Sequence, residues 1–177
     1  TLLANYPGSV YFKEASFRRG AAHFGLGQYA EAREVFESWL SNSSGHPLVP
    51  EAYVFMGDLD AMDAQVERAL MHYRLVETHG GALAMIKHAY FESAALLLAN
   101  KRHAEHDGIL EEFLNKYPES ASCAEAIMRM AEAALDQGRV PEAFARYRDG
   151  IERFGNDSKS DDVDVVIDSW WEQDSAI

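Results

Sequence analysis

Apolar side chains along this chain recur at steps of three and four residues and not in alternation, which is the period of a helix face. Ala32, Val35, Phe36 and Trp39 fall at i, i+3, i+4 and i+7, and Val66, Ala69, Leu70, Tyr73 and Val76 repeat the arrangement. Between the stripes lie breaker segments: Gly25-Leu26-Gly27, Ser41 to Pro47, His79-Gly80-Gly81, Asn100-Lys101-Arg102 and Pro118-Glu119-Ser120. The pattern predicts short helices joined by tight turns and no strand. The first helix is expected over about Val10 to Phe24 and the second over about Ala30 to Leu40.

The stripes are copies of one another. A step of 37 residues carries Gly20 to Gly57, Ala94 and Ala131, and Phe36 to Tyr73, Leu110 and Tyr147. The same step carries Ala32 to Ala69, His106 and Ala143, and Ala15 to Ala52, Ala89 and Ala126. Small residues recur because two antiparallel helices approach closely only where side chains are short, and the aromatics fill the space between pairs. Stacked pairs of this kind share one continuous core, and none is stable alone. The chain therefore divides into helical pairs at 9–44, 50–79, 82–116 and 119–155, a single array over 1–177. Leu2 and Leu3 align with Phe113 and Leu114, so residues 1–7 are read as the tail of a preceding repeat, with more of the array upstream. A terminal helix is expected at 161–173, with Val163, Val166, Ile167 and Trp170 docking on the fourth pair and acidic residues favouring its start.

Charge narrows the function. The 177 residues carry 16 Lys and Arg against 29 Asp and Glu, a net charge of −13, and the basic residues are scattered. Such a surface repels phosphate backbones and anionic membranes, so neither nucleic acid nor a lipid surface is the expected partner. No apolar run approaches the roughly 18 residues of a membrane span. Cys123 is the only cysteine, which excludes an internal disulfide or a cysteine-based zinc site within one chain.

Candidate chemistry is sparse. His103 and His106 stand one helical turn apart, with His72 or His88 as a third ligand in an alternative, metal-binding reading. Packing positions in the third pair are the competing account, and the spacing matches no zinc motif. Asp58, Asp60 and Asp63 invite a calcium reading, but they lie on a helix and lack the loop glycine, so a solvated acidic face is expected. No nucleophile elbow or phosphate-cradling glycine cluster occurs, so the expectation is no enzyme, no cofactor and no metal.

Gly20, Gly27, Tyr29, Ala32 and Phe36, with the prolines at repeat junctions, resemble the tetratricopeptide repeat over nearly the whole chain. The family period is 34 residues, and the extra three are placed in the loop between pairs. Departures are Ala64 and Lys101 at the turn glycine, His106 at the small position and Gly150 at a larger one, which makes the third pair the weakest match. Tyr6-Pro7-Gly8-Ser9 and Tyr117-Pro118-Glu119-Ser120 resemble the junctions of bacterial cell-envelope members, outer-membrane assembly lipoproteins and Tol–Pal coordination proteins among them. The resemblance implies an all-α fold, a right-handed α-solenoid of helix-turn-helix repeats, and a periplasmic or envelope location ahead of a cytoplasmic one.

It also implies a binding scaffold whose first helices line a concave groove. Carried over by position, one row is Phe17, Val54, Phe91 and Met128, and a second is Phe24, Ala61, Leu98 and Leu135. A flanking row is Glu14, Glu51, His88 and Glu125. Apolar rows with an acidic edge suit a protein or peptide partner bearing apolar anchors and some Lys or Arg. On this reading Phe17 and Phe91 are exposed anchors that tolerate charge. The alternative is a structural role, with the groove filled by its own chain or by a second copy in a homo-oligomer.

Overall fold

A computed structural model describes residues 11–154; the expected tail at 1–7 and terminal helix at 161–173 lie outside these. Eight α-helices occupy the described residues, and no strand is among them. They are α1 Phe12–Gly25, α2 Tyr29–Asn42, α3 Val49–Met62, α4 Val66–Thr78, α5 Leu83–Ala99, α6 His103–Lys116, α7 Cys123–Asp136 and α8 Val140–Phe154. The second helices α2, α4, α6 and α8 begin at Tyr29, Val66, His103 and Val140, each 37 residues after the last. None of α1 to α7 has a side-chain N-cap, but most carry a glutamate in the first turn, where the helix dipole favours negative charge.

The turns inside the pairs share one backbone device. Gly27, Ala64, Lys101 and Gly138, again 37 residues apart, all have positive φ, at 73°, 56°, 60° and 72°. At three of these turns the residue after the left-handed position donates its N–H five residues back: Gln28 to His23, Gln65 to Asp60 and Arg139 to Ala134. This is the Schellman ending, which satisfies carbonyls that the helix leaves unpaired. Ala64 and Lys101 hold the same conformation without the freedom of glycine.

The described residues fall into two compact units that divide between Asn100 and Lys101. In the first, α1 packs on α2 and α3 on α4, while α5 lies against α4 and α3. Phe17, Phe36, Trp39, Val49, Met56 and Leu59 form its core, with Phe55 packed against them. The rings of Phe36 and Phe55 stack at 4.9 Å, and Phe17 meets Phe36 and Trp39 edge-on at 5.5 and 5.3 Å. The Trp39 indole N–H donates to the Lys13 carbonyl at 2.6 Å, tying the end of α2 to the start of α1. In the second unit α7 packs on both α6 and α8.

Close approach explains the small positions. A Cβ on Gly57 would sit 2.5 Å from the Tyr73 ring, and one on Gly20 would sit 2.9 Å from Phe36. Ala32, Ala69 and Ala143 are fully buried. His106 takes the equivalent position in α6 as a buried side chain, its Nδ1 donating to Asp107 at 2.8 Å.

Candidate protein-interaction face

The first helices of unit 1 carry the expected rows, but their residues do not share one environment. Phe24, Val54 and Leu98 are half-buried, as are Ala61, Glu51 and His88, and Glu14 is exposed. Phe17 is fully buried and Phe91 is 3% exposed. These two phenylalanines are therefore core residues and not exposed anchors. The reason is geometric: a first helix packs both against its own partner and against neighbouring first helices. Phe17 accordingly points between α2 and α3, where it meets Phe36, Trp39 and Phe55. In unit 2, α7 carries Met128, Leu135 and Glu125 half-buried at the same repeat positions.

The polar edge of unit 1 is built across elements. Asp58 on α3 accepts the Tyr73 hydroxyl at 2.8 Å and His88 Nε2–H at 3.0 Å. Burial, then the Asp58 carboxylate, pushes the Tyr73 phenol far above its usual range. The hydrogen bond to Asp58 raises His88 above the ordinary histidine value against its partial burial, aided by the charges of Asp58 and Glu92. His88 breaks the glutamate row in sequence, and in the structure it hydrogen-bonds Asp58. Glu14, which pairs with Arg18 at 3.5 Å, and Glu51 remain as the acidic edge.

A second cluster corrects the reading of Asp58, Asp60 and Asp63 as a solvated face at Asp60, while Asp63 is exposed as expected. Asp60 is fully buried. Its carboxylate accepts Arg33 Nη1 at 2.6 Å and His72 Nδ1–H at 2.8 Å, with Arg68 Nη2 at 3.4 Å. Arg33 also reaches Asp63 at 2.8 Å. Burial works against the Arg33 cation, but Asp60 and Asp63 outweigh it and raise its pKa. The cluster ties α2 to α3 and α4, so it belongs to the packing of the first two pairs.

In unit 2 Asp107 accepts Arg146 Nη2 at 3.0 Å, while Glu142 pairs with both Arg139 and Arg146. These arginines hold the Glu142 carboxyl below its usual range. His72, His88 and His106 thus each hydrogen-bond a different aspartate. No group of three His, Cys, Asp or Glu side chains among the described residues is placed to hold a metal. Cys123 is buried, and burial pushes its thiol pKa up. No described helix is long and apolar enough to cross a membrane.

The sequence profile of the tetratricopeptide repeat family matches residues 14–42, which span most of α1 and α2. No curated protein matches the chain. Among solved structures, MamA 41-end from Desulfovibrio magneticus RS-1 is similar at 17% identity and a TM-score of 0.59, over 81% of this chain and 76% of that one. The MamA RS-1 ArsTM double mutant matches over the same shares with a TM-score of 0.59 at 19% identity. A Podosopora anserina protein with nearly identical TPR-like repeats, a kinesin light chain by its description, has a TM-score of 0.58 at 18% identity. That match covers 83% of this chain and 77% of the other. At these identities the likeness is one of fold, and the fold is all-α and tetratricopeptide-like.

Proposed function

We propose that this chain is a non-enzymatic protein-interaction scaffold that takes a peptide or partner helix along the first-helix face of unit 1. The carrying observation is the half-buried row of Phe24, Ala61 and Leu98 on three successive first helices, edged by Glu14 and Glu51. Apolar anchors of a partner helix would seat on that row, and its Lys or Arg side chains would meet the two carboxylates. Met128, Leu135 and Glu125 on α7 offer the same chemistry in unit 2. The proposal extends to a bacterial cell envelope, on the strength of the Tyr-Pro-x-Ser junctions alone.

The test is a pull-down from the native source with the full chain, beside a variant carrying Glu14→Lys and Glu51→Lys. Substitutions on exposed or half-exposed edges usually change stability by no more than about 0.5 kcal/mol. The expected result is lost capture with an unchanged melting curve. Undiminished capture by the variant would remove this face from the site. Concentration-dependent dimerisation that the same substitutions abolish would favour the structural role instead.

A further inference from the structure

Asp58 stands within the first-helix face of unit 1 but differs from the residues around it. Glu51, Val54, Asp58 and Ala61 fall at i, i+3, i+7 and i+10 on α3, which makes them one stripe of that helix. A step of 37 residues to either side meets Ala21 on α1, half-buried, and Ala95 on α5, exposed. Short side chains thus hold the places beside an acid whose own side chain is 20% exposed.

The two oxygens of this carboxylate are not used alike. The Tyr73 hydroxyl donates to Oδ1 at 2.8 Å, and His88 Nε2–H donates to the same oxygen at 3.0 Å. Oδ2 takes no hydrogen bond or ion pair among the described residues. It is not one of the buried unpartnered atoms either, so it reaches solvent. At Asp60, two residues on, both oxygens are engaged, by Arg33 and by His72. Tyr73 is buried, and burial holds its phenol far above the usual range, so it remains a donor. One oxygen of Asp58 is therefore anchored to the core, and the other is left open.

We infer that Asp58 is the residue that selects a basic partner on this face, its Oδ2 accepting one Lys or Arg side chain of the bound helix. The inference rests on the reading of the first-helix face as the binding face. A carboxylate already oriented by two donors loses little freedom on meeting a cation. Apolar anchors seated on Val54 and Ala61, to either side along the stripe, shield the pair from water and strengthen it.

His88 sets the strength of that contact. The groups around its imidazole are Asp58 from α3, Tyr73 from α4, whose ring lies 6.3 Å away, and Glu92 on α5 itself. The hydrogen bond to Asp58 raises the His88 pKa, so below the raised value an imidazolium offsets the charge that a lysine would meet. Above it a neutral donor stays on Oδ1, and the charge of the carboxylate is left to the partner. Binding of a basic helix therefore tightens as pH rises through that value.

The probes are two fluorescein-labelled, hydrocarbon-stapled helical peptides with the same leucine stripe, one with lysine at its centre and the other with norleucine. Their anisotropy is followed against the full chain at about 50 mM salt, where screening is weak. Above the ordinary histidine value of 6.5, the lysine peptide should bind the parent about tenfold more tightly than the norleucine peptide. The preference should disappear with Asp58→Asn. In His88→Gln, which keeps a neutral donor, it should persist without changing with pH. Saturable binding of both peptides with equal affinity would leave the face standing and overturn the inference. A preference that survives Asp58→Asn and disappears with Glu51→Gln would overturn it in favour of Glu51. A preference in the parent that does not vary with pH would overturn it as well. No saturable binding of either peptide would overturn the reading of the face, and the inference with it. Where Asp58→Asn lowers the melting temperature, the pH dependence of His88→Gln against the parent decides.

Discussion

Ala64→Gly should stabilise the protein, although Ala→Gly inside a helix does the opposite. Ala64 holds φ at 56°, in the left-handed region that glycine occupies at the matching turns, Gly27 and Gly138. An L side chain there costs roughly 1–2 kcal/mol. Against that gain, glycine loses about 0.5–1 kcal/mol more backbone entropy on folding than alanine does. Ala64 is exposed, so removing its methyl group forfeits no packing. The net expectation is a stabilisation of about 0.5–1 kcal/mol. Gly27→Ala is the reciprocal change: a Cβ there meets nothing within 4 Å, so its loss of about 1 kcal/mol is purely a backbone effect. Ala95→Gly, at an exposed position within α5, is the control and should cost about 1 kcal/mol. Urea unfolding followed by circular dichroism reads all three as shifts in midpoint. A loss at Ala64→Gly equal to that at Ala95→Gly would refute the left-handed turn, and with it the equivalence of the four turns.

Two further outcomes follow from the polar clusters. Asp60→Ala strands the Arg33 guanidinium, 19% exposed, and His72 without their buried carboxylate, and should cost about 3–5 kcal/mol in the same assay; a loss under about 1 kcal/mol would show that the cluster is not held. The pKa of His88 is raised in the folded state, so its contribution is complete below its unfolded value and is lost as pH rises through the folded one. Stability should thus fall more in the parent than in His88→Gln as pH rises above the ordinary histidine value of 6.5, and parallel pH profiles would remove the Asp58–His88 contact from the account.

The repeat was legible because it is written in residue size. Gly20, Gly57, Ala94 and Ala131 mark the close contacts, and the breakers mark the turns, so the helices lie where the stripes put them. Ala64 and Lys101 stood out as departures from glycine, and their backbone nonetheless adopts the glycine conformation. What the pattern could not resolve was which apolar first-helix residues are covered. Phe17 and Val54 occupy the same repeat position, yet Phe17 is buried by Phe55 and Trp39 while Val54 is half-buried. Long-range polar partners were equally out of reach. Arg33 lies 27 residues before Asp60, and Asp58 lies 30 before His88, on different elements. No local spacing announces either contact, so Asp60 read as one more solvated acid. The division between Asn100 and Lys101 was also unmarked, since the sequence there shows only an ordinary turn.

The scaffold reading rests on which side of the helical pairs meets a partner. Photocrosslinking from a benzoylphenylalanine placed singly at Glu14, at Glu51 or at Met71 tests this in the native source with the full chain. Met71 is a half-exposed residue of the second helix α4, away from the proposed face. The account predicts one shared protein adduct from Glu14 and Glu51 and none from Met71. Equal crosslinking from Met71, or different adducts from Glu14 and Glu51, would contradict it.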